Sequence, residues 1–200
     1  ITTEDRKSRI KNLQWAGLSK KAWDEIQSLK AAGGQDAYEF AMLEAAYHLH
    51  EGEVSEALAL LLPFDPKKKG DFNYLMTLAT TAARAGESQL AVGSYYRAYK
   101  SSPRSKLGKQ ALYQAAFLSY QFQDYDGAAR RFQEFMKVYS NSGLAKDARW
   151  HLAWIRYLRG DYEGSYHDFA EVKLLNSVRL RGRRQPAPAV NDRIAYWMAI

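Results

Sequence analysis

Ala79-Thr80-Thr81-Ala82-Ala83-Arg84-Ala85-Gly86-Glu87-Ser88-Gln89-Leu90-Ala91-Val92-Gly93-Ser94-Tyr95 is the stretch that decides the fold. Gly86 at its centre suits the left-handed backbone that closes a helix. Ala79 lies seven residues before it, Ala91 five after it and Tyr95 nine after it. The same register recurs along the chain: Gly17 with Ala22 and Ile26, Gly52 with Ala57 and Leu61, Gln123 with Ala128 and Phe132, and Gly160 with Ser165 and Phe169. Successive turn positions stand 35, 34, 37 and 37 residues apart, which is the signature of a repeat array. Seven before each turn a small residue returns at Ala45, Ala79, Ala116 and Ala153, with Ile10 in the first copy.

Each copy reads as two helices joined by a tight turn. The residues after the turn, Glu53 and Ser55, Glu87 and Ser88, Asp124, and Asp161, are expected to accept hydrogen bonds from the free N–H groups opening the second helix. The small residues on both helices let two backbones approach, and the bulky residue four positions on fills the groove. This pattern resembles the tetratricopeptide repeat, whose period is about 34 residues. The expected fold is all-α: about five tetratricopeptide-like hairpins stacked into a curved right-handed superhelix. Helices are expected near 3–16, 19–31, 36–50, 55–61, 72–85, 88–100, 105–122, 125–139, 145–159 and 162–174, with a last one from Asn191. Residues 1–200 are expected to form a single array, a fragment of a longer chain, with an Arg/Pro-rich connector at 176–190.

Composition narrows the function classes. The chain has 46% hydrophobic and 26% charged residues, enough apolar material for an ordered core. Its longest purely aliphatic run, Ala57 to Leu62, is too short to cross a bilayer. With no cysteine, disulfides, thiol catalysis and Cys-based zinc sites are excluded. A net charge of +7 favours anionic surfaces, whether nucleic acid, acidic lipid or an acidic glycan.

Catalytic constellations are missing from the text. His48 and His50 are two apart, about 200° around a helix, so they face different ways and do not suit a shared metal. There is no phosphate-binding Gly-rich loop with Lys, no Gly-x-Ser-x-Gly elbow and no acidic ion loop. No catalytic residue, metal or cofactor is therefore expected.

Two features could bind a partner. In a tetratricopeptide array the first helices of successive pairs line the ligand-facing surface. Counting back ten, six and three residues from the last two turns gives Tyr113, Phe117, Tyr120 and Trp150, Trp154, Tyr157. Rings with polar tips suit sugar faces or an apolar peptide, and the same rings could instead fill the interior or receive the next repeat. The second feature is Arg179, Arg181, Arg183 and Arg184, a basic loop suited to phosphate, carboxylate or RNA, or simply to solvent. Lys67-Lys68-Lys69 reads as a solvated turn.

A more particular likeness lies in the second half. Gln123-Asp124-Tyr125-Asp126-Gly127-Ala128 with Phe132, Phe135 and Tyr139 is similar to helical-repeat proteins of the bacterial envelope. Ala148-Arg149-Trp150-His151-Leu152-Ala153-Trp154, then Gly160-Asp161-Tyr162, then Arg193-Ile194-Ala195-Tyr196-Trp197-Met198-Ala199 resembles the superhelix of soluble lytic murein transglycosylases. In that family a separate lysozyme-like domain cuts the glycan with one Glu, within a Glu-Ser followed by a Gly-Leu-Met-Gln-like segment. Here Glu87-Ser88 falls at a repeat turn with no such segment after it, so no catalytic residue carries over. The resemblance implies a non-catalytic, periplasmic domain that positions peptidoglycan strands or docks envelope proteins beside its own downstream catalytic domain. It also makes a wall glycan a better anionic partner than nucleic acid. The alternative is a tetratricopeptide protein-interaction scaffold of the cell envelope, an assembly adaptor or wall-synthesis coordinator.

Overall fold

A computed structural model describes residues 2–33, 37–65 and 70–178. These residues are helical, with no strand among them. The helices are α1 (Thr3–Trp15), α2 (Ser19–Ala31), α3 (Ala37–Glu51), α4 (Val54–Leu61), α5 (Phe72–Arg84), α6 (Ser88–Ser101), α7 (Lys106–Gln121), α8 (Tyr125–Val138), α9 (Leu144–Leu158) and α10 (Tyr162–Val178), with a short 3-10 turn at Leu62–Phe64. Observed and expected ends differ by a residue or so, except that α10 runs through Asn176, Ser177 and Val178, where the connector was expected to open. No Gly or Pro intervenes before Gly182, so nothing in the sequence stops the helix at Leu174. The rest of the connector and the helix expected from Asn191 lie outside the described residues, as does Lys67-Lys68-Lys69.

The chain divides into two compact units, 1–102 and 103–200. In the first, α1 packs on α2, α3 on α4 and α5 on α6, with α2 against α3 and α4 against α5. In the second, α7 packs on α8 and α9 on α10, with α8 against α9. These are the five expected hairpins.

All five turns close the same way. Gly17, Gly52, Gly86 and Gly160 have φ of 70°, 85°, 81° and 80°, and Gln123 holds 63° without being glycine. In each, the turn residue's N–H reaches the carbonyl three back and the next N–H reaches five back, as in Gly86 to Ala83 (3.3 Å) and Glu87 to Ala82 (2.9 Å). That bond pair satisfies carbonyls which the helix end leaves open. The expected side-chain caps form at only two of the four acidic turns. Asp124 Oδ1 accepts from Gly127 N at 2.9 Å and Asp161 Oδ1 from Gly164 N at 3.0 Å. Glu53 and Glu87 make no such bond. An extra methylene carries the glutamate carboxylate past the N–H groups that an aspartate meets, and Glu53 instead takes His48 Nδ1 at 2.6 Å.

The repeat register is the core. At seven before the turn, Ile10, Ala45, Ala79, Ala116 and Ala153 are at most 2% exposed. Five after it, Ala22, Ala57, Ala91, Ala128 and Ser165 are likewise at most 2% exposed. Nine after it, Ile26, Leu61, Tyr95, Phe132 and Phe169 are all buried. The small residues bring helix backbones together, and each bulky one removed from water contributes about 2–3 kcal/mol.

Candidate functional site

The six expected rings lie in the second unit, on α7 and α9, each partly buried and none fully exposed. Along α7, Tyr113 lies parallel to Phe117 with ring centres 6.4 Å apart, and Phe117 lies 6.4 Å from Tyr120. Along α9, Trp154 stacks on Tyr157 at 5.2 Å. Spacings of three and four residues set these rings one above another on a helix face. The ribbon is also claimed by its neighbours. Tyr113 meets Phe132 and Phe135 edge-on at 5.7 and 5.5 Å, and Trp150 lies 4.8 Å from Phe169. The Tyr120 hydroxyl is tied to the Trp154 side chain by a hydrogen bond, which joins α7 to α9. Burial pushes the Tyr113 hydroxyl up to about 12, with the Asp147 charge as the lesser cause, so it stays a neutral donor at neutral pH.

The organising side chain of this cluster is His151. Its ring stacks on Phe132 at 5.0 Å and lies 5.3 Å from Phe117, 5.2 Å from Tyr120 and 6.5 Å from Tyr113. Its Nδ1 is buried without a hydrogen-bond partner. Burial alone depresses its pKa to about 4, so the imidazole is neutral at pH 7. From sequence alone, His48 and His50 are weighed and His151 is passed over. The available signal was its register: His151 falls on the same face of α9 as Ala148 and Ile155, both at most 1% exposed.

Elsewhere the candidates resolve into local pairs. His48 Nδ1 meets Glu53 at 2.6 Å and His50 Nδ1 meets Glu51 at 3.0 Å, so each has its own carboxylate. Glu87 and Ser88 sit in the α5–α6 turn, where the Ser88 N–H bonds Gly86 O at 2.9 Å. A groove of about 470 Å³ between α8 and α9 is lined in part by Arg156 and Arg159. Asp168 neutralises Arg156 at 3.3 Å and Asp126 neutralises Arg159 at 2.8 Å. Arg179, Arg181, Arg183 and Arg184 lie outside the described residues.

No protein-family model matches the chain, and no curated protein sequence matches it. Solved structures do. A tetratricopeptide repeat protein from Parabacteroides merdae superposes with a TM-score of 0.67 at 18% identity, over 98% of this chain and 73% of that one. A putative kinesin light chain of Podosopora anserina with nearly identical TPR-like repeats gives 0.69 at 12% identity, over 90% and 97%. MamA of AMB-1 gives 0.65 at 14%, over 90% and 92%. None of these likenesses extends to lytic transglycosylases, and at such identities they speak for fold alone. The chain is an all-α protein of tetratricopeptide-like helical hairpins.

Proposed function

We propose that the chain is a protein-interaction scaffold whose second unit holds a peptide against the rings of α7 and α9. One observation carries this reading: Tyr113, Phe117, Tyr120, Trp150, Trp154 and Tyr157 are all partly open and run along two helices of one unit. At the same register the first unit has Met42, Ala46 and Leu49 on α3 and Met76, Thr80 and Ala83 on α5, with no ring among them. Ring faces with hydroxyl or indole tips give a peptide apolar contact and hydrogen bonds together, at little cost in side-chain entropy. The test is selection of peptides from a random displayed library, followed by calorimetry with the best binder. Trp154→Ala should weaken it about tenfold or more while the helical circular dichroism holds at the assay temperature, although the melting temperature falls as the packing on the Phe169 cluster and the bond to Tyr120 are lost. Equal affinity in the variant would overturn the reading.

The residues that resemble the transglycosylase superhelix support a narrower version, in which the scaffold is the non-catalytic part of a periplasmic peptidoglycan lyase. The same rings would then stack on sugar faces of a glycan strand. Co-sedimentation with purified sacculi separates the two ligands. Retention that Trp154→Ala abolishes favours the glycan, and retention indifferent to it sinks that version.

A further inference from the structure

Two positions before each turn, the hairpin exposes a side chain: Trp15, His50, Arg84, Gln121 and Leu158. Three of the five are polar, as a solvated tip requires. Trp15 is 90% exposed, whereas Trp23, Trp150 and Trp154 are each packed among neighbours. The residue after the turn departs in the same repeat. It is Glu53, Glu87, Asp124 and Asp161 in four copies and Leu18, 43% exposed, in the first. Three and four after the turn stand Lys20 and Lys21, where the other repeats carry Ser55 and Glu56, Gln89 and Leu90, Asp126 and Gly127, and Glu163 and Gly164. Lys11 adds a third cation one helical turn before Trp15, on the same face of α1. All three lysines are exposed, and none is in an ion pair among the described residues. The first hairpin thus replaces an acidic, polar tip by Trp, Leu and unneutralised lysines.

We infer that the α1–α2 tip is a docking site for an anionic phospholipid surface. An exposed indole and an exposed aliphatic side chain three residues apart in one turn match the bilayer interface, where the ring sits at head-group depth. Lysines beside them are drawn to acidic head groups, while long methylene stems let the ammonium stay in water. No described helix is long and apolar enough to cross a membrane, and a tip of this kind acts by lying in the head-group interface. Leu18 argues against base stacking on nucleic acid, to which an aliphatic chain adds nothing.

The test uses the full chain with vesicles of phosphatidylcholine containing about one-third phosphatidylserine, and with pure phosphatidylcholine, read by co-sedimentation and tryptophan emission. The chain should partition onto the anionic vesicles with a blue shift and leave the neutral ones unbound. Trp15→Ala should lower partitioning about tenfold or more, as expected for withdrawing one large apolar side chain. Lys20→Gln and Lys21→Gln should each lower it about fivefold. Because Trp15 is 90% exposed, its variant keeps the fold, which circular dichroism checks. Absence of binding to anionic vesicles, or binding unchanged in Trp15→Ala, overturns the inference. Two other results overturn it as well: Trp15-dependent binding of a single-stranded oligonucleotide without vesicle binding, and Trp15-dependent self-association in sedimentation velocity without vesicle binding. The tip lies in the first unit, so the outcome is independent of the ring face proposed for the second.

Discussion

Gln123 occupies the one hairpin turn where a side chain bears a positive φ, at 63°, while the four equivalent turns carry glycine. The left-handed region costs a residue with a Cβ about 1–2 kcal/mol, and glycine avoids that cost. Gln123→Gly should therefore raise stability by about 1 kcal/mol, seen as a higher urea midpoint with an unchanged slope. Gly86→Ala should lower it by about the same amount. An added Cβ there meets no atom within 4 Å, so that loss is conformational alone. At His151 the effect is one of pH. Its pKa is depressed to about 4 in the folded chain from an ordinary 6.5, so the unfolded chain binds the extra proton first as pH falls. Its contribution is complete above pH 6.5 and is lost as pH falls through 4. A shift of that size corresponds to about 3 kcal/mol at most, and the ring's partial exposure brings it to about 2 kcal/mol. His151→Phe should flatten the stability profile in that window, as chemical denaturation at a series of pH values would reveal. It should cost little at neutral pH, because an unpartnered buried Nδ1 is removed with the imidazole.

Among the helices, the openings of α6 and α8 separate a genuine cap from an apparent one. Asp124 accepts the Gly127 N–H at 2.9 Å, whereas Glu87 has no side-chain cap bond. Asp124→Ala should then cost about 1 kcal/mol in thermal or urea unfolding and Glu87→Ala close to nothing. A comparable loss in both would mean that charge near the helix opening, not the hydrogen bond, sets the cost. The same pair shows how far the sequence could be read. The register of turn, small residue and bulky residue was legible because burial dictates it directly, and Ala91, Ala128, Phe132 and Phe169 are all buried as that register requires. The two missing caps were not, since Glu and Asp are alike in charge and differ only in reach. The placing of the six rings at the same register of two helices, α7 and α9, was legible. That Tyr120 and Trp154 hydrogen-bond across α7 and α9 was not, because it depends on how successive hairpins pack. His151 went unread for a related reason: a histidine's surroundings, not its identity, decide whether it is charged.

Over the whole chain, the net charge of +7 bears differently on the two proposed surfaces. The rings of α7 and α9 meet a ligand through apolar area and neutral hydrogen bonds, and the arginines nearest them on α9, Arg149 and Arg156, are paired with Glu171 and Asp168. Lys11, Lys20 and Lys21 at the first tip are unneutralised and open to solvent, so their attraction to an acidic surface works over the screening length. That length shrinks from about 10 Å at 0.1 M salt to about 3 Å at 1 M. Raising salt over that range should change the affinity of a ring-face peptide by less than about twofold, because burial of apolar surface does not depend on screening. Vesicle partitioning should fall about tenfold or more over the same range, since the lysine attraction is screened while the apolar part from Trp15 and Leu18 persists. Calorimetry and co-sedimentation on one preparation measure both. Equal salt dependence at the two surfaces would mean that the excess charge acts on the chain as a whole, and that neither surface has the separate chemistry assigned to it.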